Sequence, residues 1–124
     1  MPHGHFHWNE LNTRDMAGAK KFYEKAMGWS YDIMPSPEGD YTLIKNGDEV
    51  IGGMMDINGP MFEGVPENWF TYIDVDDIDK RVGLAKENGA TIIREPWDVP
   101  EVGRIAIIQE PGGAVVGWMT PPAS

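Results

Sequence analysis

The chain has 124 residues, of which 10 are basic and 20 acidic, so its formal net charge at pH 7 is -10. This length predicts one domain, and 41% hydrophobic residues are enough to fill its core. The negative charge argues against a nucleic acid partner, and the absence of a long apolar run or a secretion signal predicts a cytoplasmic protein with no membrane partner.

The first half of the chain predicts a strand, a helix and three further strands. The first strand covers His5–Thr13, and Asp15 caps a helix that runs to about Met27 with Gly28 as its C-terminal cap. Three short runs rich in β-forming residues follow. They are Ser30–Met34, Tyr41–Lys45 and Val50–Met55.

The second half predicts the same order after a Gly- and Pro-rich linker at Asn58–Glu67. A strand at Trp69–Val75 leads into a helix over about Asp77–Asn88, which Asp76 or Asp77 caps and Gly89 ends. Three more strands complete the half. They are Thr91–Arg94, Arg104–Gln109 and Ala114–Met119.

Short sequence matches indicate that the second half is a duplicate of the first. Val50–Met54 resembles Val115–Met119, and Asn12–Met16 resembles Asp74–Ile78. Their offsets lie between about 62 and 65 residues, longer than the period of solenoid repeats. The sequence therefore predicts one domain of two tandem β-α-β-β-β modules, at about 5–57 and 68–121, joined by the linker 58–67.

Four motifs in this order resemble a known superfamily. They are Trp8-x-Glu10-Leu11-x-Thr13-x-Asp15, Ala19–Tyr23, Gly28-Trp29 and Glu110–Ala114. The pattern resembles the vicinal oxygen chelate superfamily of glyoxalase I, bleomycin-resistance proteins and extradiol dioxygenases, and within it the glyoxalase-like antibiotic-hydroxylase-type subgroup. The resemblance implies an α+β fold in which two β-α-β-β-β modules form a curved mixed sheet around a cavity. It also implies a homodimer.

The metal site of that superfamily does not carry over to this sequence. Its enzymes place His or Gln, and then Glu, on the first and last strand of each module. The matching positions here are Trp8, Gly52, Phe70 and Gly117. None of them has a side chain that binds a divalent cation, so we expect neither a metal ion nor another cofactor. A shift of the first strand by one residue would instead turn His7 inward, and a metal-dependent glyoxalase-like enzyme stays open on that ground.

The strand alternation then predicts an aromatic pocket for a small organic molecule. Such a pocket suits a flat, partly apolar ligand that carries a donor or a positive charge. The side chains predicted to face the cavity are Trp8, Glu10, Asn12, Phe70, Tyr72 and Asp74, extended by Met54 and Met119.

Glu10 is the candidate catalytic residue, and two interpretations of it stay open. As a general base it would serve a lyase, isomerase or hydroxylase-type enzyme, with Tyr72 or Asn12 steadying an oxyanion. As a structural carboxylate it would accept a hydrogen bond from the backbone or from a tyrosine hydroxyl.

The histidines and the acidic run 74–79 have plainer interpretations. His3, His5 and His7 are the three histidines of the chain, and the sequence identifies no carboxylate beside His5 and His7. The acidic run lacks the pattern of a calcium loop and begins a predicted helix, where carboxylates favour the positive end of the helix dipole.

Overall fold

Strands and helices follow one another in the predicted order in the computed structural model, which describes residues 3–35, 39–100 and 102–122. The first five elements are β1 (Phe6–Thr13), α1 (Met16–Met27), β2 (Ser30–Met34), β3 (Tyr41–Asn46) and β4 (Glu49–Asp56). A short 3-10 helix at Pro60–Phe62 follows. The last five are β5 (Asn68–Asp74), α2 (Ile78–Glu87), β6 (Thr91–Val99), β7 (Gly103–Gln109) and β8 (Val115–Thr120).

The chain folds into two compact units. The first unit is Trp8–Phe70, and the second combines the residues up to His7 with the chain from Thr71 onward. In the first unit β1 runs parallel to β4, while β3 lies antiparallel to both β4 and β2. In the second unit β5 runs parallel to β8, and β7 lies antiparallel to β8 and β6. Mixed parallel and antiparallel pairing, together with one helix in each unit, confirms the predicted α+β class.

Local signals fix both helices as predicted. The Asp15 carboxylate accepts a hydrogen bond from the Gly18 amide at 2.9 Å, and Gly28 ends α1 in the left-handed conformation with φ of 73°. Asp77 caps α2 through the Lys80 amide at 3.3 Å. Neither helix is long and apolar enough to cross a membrane, in the part of the chain that the structure describes.

Each unit has its own core between its helix and its sheet. Leu11, Ile44 and Met54 are buried in the first unit and pack against residues of α1. The second core is a larger aliphatic cluster beneath α2. Its buried members are Val75, Ile78, Val82, Ala106, Ile108 and Val116.

Strand β6 differs most from its prediction, because it continues five residues beyond Arg94 to Val99. Its pairing with β7 shifts register on both sides of Arg94. These irregularities accommodate Pro96, which cannot donate a backbone hydrogen bond and is tolerated on an edge strand or at a bulge.

Candidate functional site

The sheet face of the first unit that points away from α1 carries a buried carboxyl group. Leu11 packs in the core beneath α1, so its strand neighbours Glu10 and Asn12 point to the opposite face. Only 5% of Glu10 is exposed. A carboxyl group buried to this degree needs hydrogen-bond partners to offset the loss of water.

A chain of hydrogen bonds holds that carboxyl group in place. The Trp8 indole Nε1 donates to the Tyr41 hydroxyl at 3.0 Å, and the Tyr41 hydroxyl donates to Glu10 Oε1 at 2.7 Å. These three residues, here called the Glu10 network, join β1 to β3 of the same unit. The interpretation of Glu10 as an acceptor for a tyrosine hydroxyl thus describes a contact that is present.

Gly53 makes room for the Glu10 network. It lies beside Glu10 in the parallel pairing of β1 with β4. A Cβ atom at Gly53 would lie 1.9 Å from the Tyr41 hydroxyl oxygen and 2.4 Å from Cζ of the same ring. No side chain fits there while the Tyr41 ring keeps its position, so β4 offers Glu10 no second polar side chain at this point.

The register of β4 corrects the face assigned to Met54. Glu10 pairs with Gly53 and Leu11 with Met54, so Met54 shares the core face of Leu11. Met54 is fully buried there and does not extend the predicted pocket. Met55, which pairs with Asn12, lies on the face of Glu10 instead.

The error comes from a one-residue slip in matching the two halves of the sequence. The sequence match equates Gly52 with Gly117. In the structure Gly53 is the equivalent of Gly117, because Gly53 pairs with Glu10 of β1 and Gly117 pairs with Tyr72 of β5. Because side chains alternate along a strand, a slip of one residue moves a side chain to the other face. Gly52 has a separate constraint, since a Cβ there would lie 2.7 Å from the carbonyl oxygen of Asn9.

Two further polar residues follow Glu10 towards the end of β1. Asn12 is 7% exposed, and its Nδ2 lies 3.5 Å from Asn68 Oδ1, while its own Oδ1 has no partner among the described residues. The Thr13 hydroxyl donates to the Glu67 carboxylate. Phe70, also of the first unit, is 9% exposed.

Three of the predicted site residues belong to the second unit. Ile73 packs against the core under α2, so Tyr72 and Asp74 lie on the opposite face of β5. Asp74 pairs with Met119, which is buried at 4% exposure on that face. The face predicted for Met119 thus agrees with the register.

A histidine side chain pairs with the buried Asp74, which corrects the expectation that no carboxylate accompanies His7. The side chain of Asp74 is 4% exposed, and its Oδ2 lies 3.2 Å from His7 Nδ1. The backbone joins the same two segments, since Gly4 donates to the Asp74 carbonyl at 2.7 Å and Asp74 donates to the His5 carbonyl at 2.8 Å. Asp74 Oδ1 has no hydrogen-bond partner within the described ranges. The contact is long-range in sequence, so strand periodicity alone did not reveal it.

The other acidic residues of the run either cap α2 or pair with an arginine within the second unit. Asp77 caps α2, while Arg81 donates two hydrogen bonds of 2.8 Å to the Asp76 carboxylate. These hydrogen bonds hold the pKa of Asp76 well below its usual range. Arg104 binds Asp79 in the same manner, at 2.9 and 3.1 Å.

The described side chains do not fit the metal site that the resemblance implies. Residues 3–35, 39–100 and 102–122 contain no group of three or more His, Asp or Glu side chains close enough to hold one ion. His7 and Asp74 supply two donors, whereas catalytic zinc sites have three protein ligands. In the observed register, Gly53 of β4 pairs with Glu10 and Gly117 of β8 pairs with Tyr72, and a glycine has no side chain that could bind a metal ion.

Comparison with known proteins gives a family match and several relatives. Residues 5–117 match the family model described as "Glyoxalase/Bleomycin resistance protein/Dioxygenase superfamily". The chain is 38% identical over 115 residues to "Putative glyoxylase CFP32" of Mycobacterium tuberculosis, which covers 92% of this chain and 43% of that protein. It is 27% identical over 119 residues to "Anthracycline biosynthesis protein DnrV" of Streptomyces peucetius, with coverages of 86% and 43%. The chain therefore spans less than half the length of these relatives.

Solved structures share the fold at low sequence identity. Methylmalonyl-CoA epimerase from Mycobacterium tuberculosis has a TM-score of 0.65 and 13% identity, over 96% of this chain and 89% of that one. The hypothetical protein BH1468 from Bacillus halodurans has a TM-score of 0.66 and 15% identity, over 99% and 96% of the two chains. At this identity the likeness concerns the fold alone.

Proposed function

The chain belongs to the Glyoxalase/Bleomycin resistance protein/Dioxygenase superfamily, and from this premise we propose that it binds a small organic molecule without a metal ion. The proposed site is the sheet face of the first unit that carries Trp8 and Glu10. The observation that carries the proposal is the Glu10 network, which fixes a buried carboxylate beside an aromatic side chain.

The chemistry of this face favours a flat ligand with a hydrogen-bond donor or a positive charge. The Trp8 ring offers an apolar surface, and Glu10 can accept a hydrogen bond or balance a charge. An anthracycline combines flat fused rings with an amino sugar, and the name of the Streptomyces peucetius relative refers to that class. We therefore take an anthracycline-like polycyclic amine as the ligand class.

Fluorescence titration with doxorubicin tests the binding. We expect saturable quenching of tryptophan fluorescence, and we expect Glu10→Gln to weaken the affinity by about tenfold or more, because a charged partner is lost. Glu49→Gln is the matched control, since Glu49 is an exposed glutamate of the same unit. Equal affinity of Glu10→Gln and the unmodified protein would contradict the proposed role of Glu10.

Metal analysis tests the second part of the proposal. The protein is incubated with divalent cations, passed through a desalting column and analysed by plasma mass spectrometry. We expect well under one ion per chain, because the described donors do not form a site of three or more ligands. One tightly held ion per chain would overturn metal independence and restore the metal-dependent alternative.

A second candidate function uses the same carboxylate as a general base. The Tyr41 hydroxyl at 2.7 Å from Glu10 Oε1 favours it, because this contact could orient the carboxylate towards a carbon-bound proton. The substrate would be an α-hydroxy carbonyl compound. Glu10 would remove the proton from the carbon that bears the hydroxyl group and return it to the former carbonyl carbon, while the hydroxyl proton moves to the former carbonyl oxygen, which is an isomerisation. Tyr41, a residue of the first unit, would orient the carboxylate, and the oxyanion would be steadied by Tyr72 or Asn12 as the sequence predicts.

An assay of methylglyoxal with glutathione separates catalysis from binding. If the chain is an enzyme of this kind, a thioester forms, and Glu10→Gln lowers the rate by about a hundredfold or more. No thioester above the uncatalysed rate, together with doxorubicin binding, favours the binding protein.

We further propose a cytoplasmic homodimer, and light scattering at micromolar concentration tests the dimer.

A further inference from the structure

An open cavity lies in the first unit, away from the Glu10 network. Arg14 and residues of the segment from Ile57 to Pro66 line a volume of about 540 Å³ that is open to solvent. Cavities of this size hold small organic ligands in many proteins. None of the Glu10 network residues lines the cavity, so it lies outside the site of the proposed function.

Arg14 brings a positive charge to this cavity, and no acidic side chain among the described residues pairs with it. Its Nη2 donates to the Phe62 carbonyl at 2.8 Å, and this is the hydrogen bond that its guanidinium makes within the described chain. No described carboxylate lies within 4.0 Å of its nitrogens, in contrast to Arg81 and Arg104. A guanidinium group has five N–H donors, so several remain for a ligand.

Besides Arg14, the lining combines four apolar side chains with two glycines and the polar residues Asn58 and Glu63. Ile57 is 1% exposed and forms an apolar floor, and Val65 and two prolines add to the lining. Gly64 has φ of 82°, and a Cβ there would meet nothing within 4 Å, so this wall stays open. Glu63 is the acidic residue of the lining; it is exposed. A ligand that reaches Arg14 can therefore contact apolar side chains with the rest of its length.

Hydrogen bonds fix the segment around the cavity. Val65 donates to the Phe62 carbonyl at 3.0 Å, and Phe62 donates to the Gly59 carbonyl at 3.0 Å. The Asn58 side chain donates to the Arg14 carbonyl at 3.0 Å and so ties the segment to the end of β1. Because the walls are already ordered, a ligand would not have to order them on binding.

We infer that this cavity binds a small organic carboxylate, with Arg14 holding the carboxylate and the apolar walls contacting the body of the molecule. Arginine and carboxylate form paired, charge-assisted hydrogen bonds, which a lysine cannot reproduce in the same geometry. The attraction between Arg14 and the carboxylate acts only at short range, because the net charge of -10 makes the protein as a whole repel anions at longer distances.

NMR titration of the labelled protein with sodium benzoate tests the inference, with benzamide as the uncharged ligand of the same shape. We expect benzoate to shift the backbone amides of residues 57–65 and to bind at least about tenfold more tightly than benzamide. Equal binding of the two ligands, or shifts confined to other residues, would overturn the inference. Inorganic phosphate binding as tightly as benzoate would also contradict it, since the apolar walls would then add nothing.

Three variants test the role of Arg14. Arg14→Gln should weaken benzoate binding by at least about tenfold, and Arg14→Lys should retain part of the affinity. Arg94→Gln is the control, because Arg94 stacks on Trp97 in the second unit and should leave benzoate binding unchanged. Unchanged affinity in Arg14→Gln would refute the inference. The comparison of benzoate with benzamide stands on the unmodified protein, even where loss of the Phe62 contact disturbs the variant.

Discussion

Gly53→Ala is the substitution that most directly probes the Glu10 network. The new Cβ would lie 1.9 Å from the Tyr41 hydroxyl oxygen, so the tyrosine ring must move. Its movement breaks the bond to the Trp8 indole, of about 1 kcal/mol, and the bond to the Glu10 carboxylate, of about 1.5 to 3 kcal/mol. Replacing glycine by alanine returns about 0.4 to 1 kcal/mol through the unfolded chain. We expect a net loss of about 1.5 to 3.5 kcal/mol.

Urea unfolding followed by tryptophan fluorescence measures this loss. Gly83→Ala is the control, because a Cβ at Gly83 in α2 meets nothing and should stabilise the protein by about 0.5 to 1 kcal/mol. In a Tyr41→Leu background the ring is gone, so most of the cost of Gly53→Ala should disappear. A loss below about 0.5 kcal/mol, or the same loss in both backgrounds, would refute the reasoning.

Three further substitutions test other parts of the structure by unfolding. Gly103→Ala should cost more than Gly113→Ala: both positions have positive φ, but a Cβ at Gly103 would also lie 2.3 Å from a backbone carbonyl oxygen. Equal costs would contradict this close contact. Asp76→Asn should make stability less dependent on pH below about pH 4. Because Arg81 holds the pKa of Asp76 low, the ionised carboxylate stabilises the fold at pH values above the ordinary pKa of aspartate, and this stabilisation is lost as the pH falls. An unchanged acid profile would argue against the pairing of Asp76 with Arg81. Met54→Ala should cost about 2 to 5 kcal/mol without weakening doxorubicin binding, since Met54 lies in the core; a marginal cost would argue for the pocket face.

The sequence predicts the fold well because its signals are local. Asp15, Gly28 and Asp77 mark helix ends by side-chain or backbone chemistry that acts within one turn. The order of strands and helices follows from periodicity over short windows. The extension of β6 past Pro96 was missed, because proline argues against a strand unless the edge position is known.

The candidate site is harder to predict, because its contacts join residues far apart in sequence. Tyr41 was not identified as a site residue, although it touches both Trp8 and Glu10. The adjacent glycines of β4 were the available signal, since glycine within a strand often marks the close approach of another group. The one-residue slip that misplaced Met54 has the same origin, because strand register depends on pairing that the sequence does not display.

The division of the chain into units has a practical consequence for making fragments of this protein. Asp74 takes its main-chain partners from Gly4 and His5, which stand about seventy positions earlier. A fragment that starts at Thr71 would leave a buried aspartate with its backbone amide and carbonyl unmatched. An expression vector for the part of the chain from Thr71 onward should therefore also encode the N-terminal segment that contains Gly4 and His5. An affinity tag is better attached at the C-terminus than at the N-terminus.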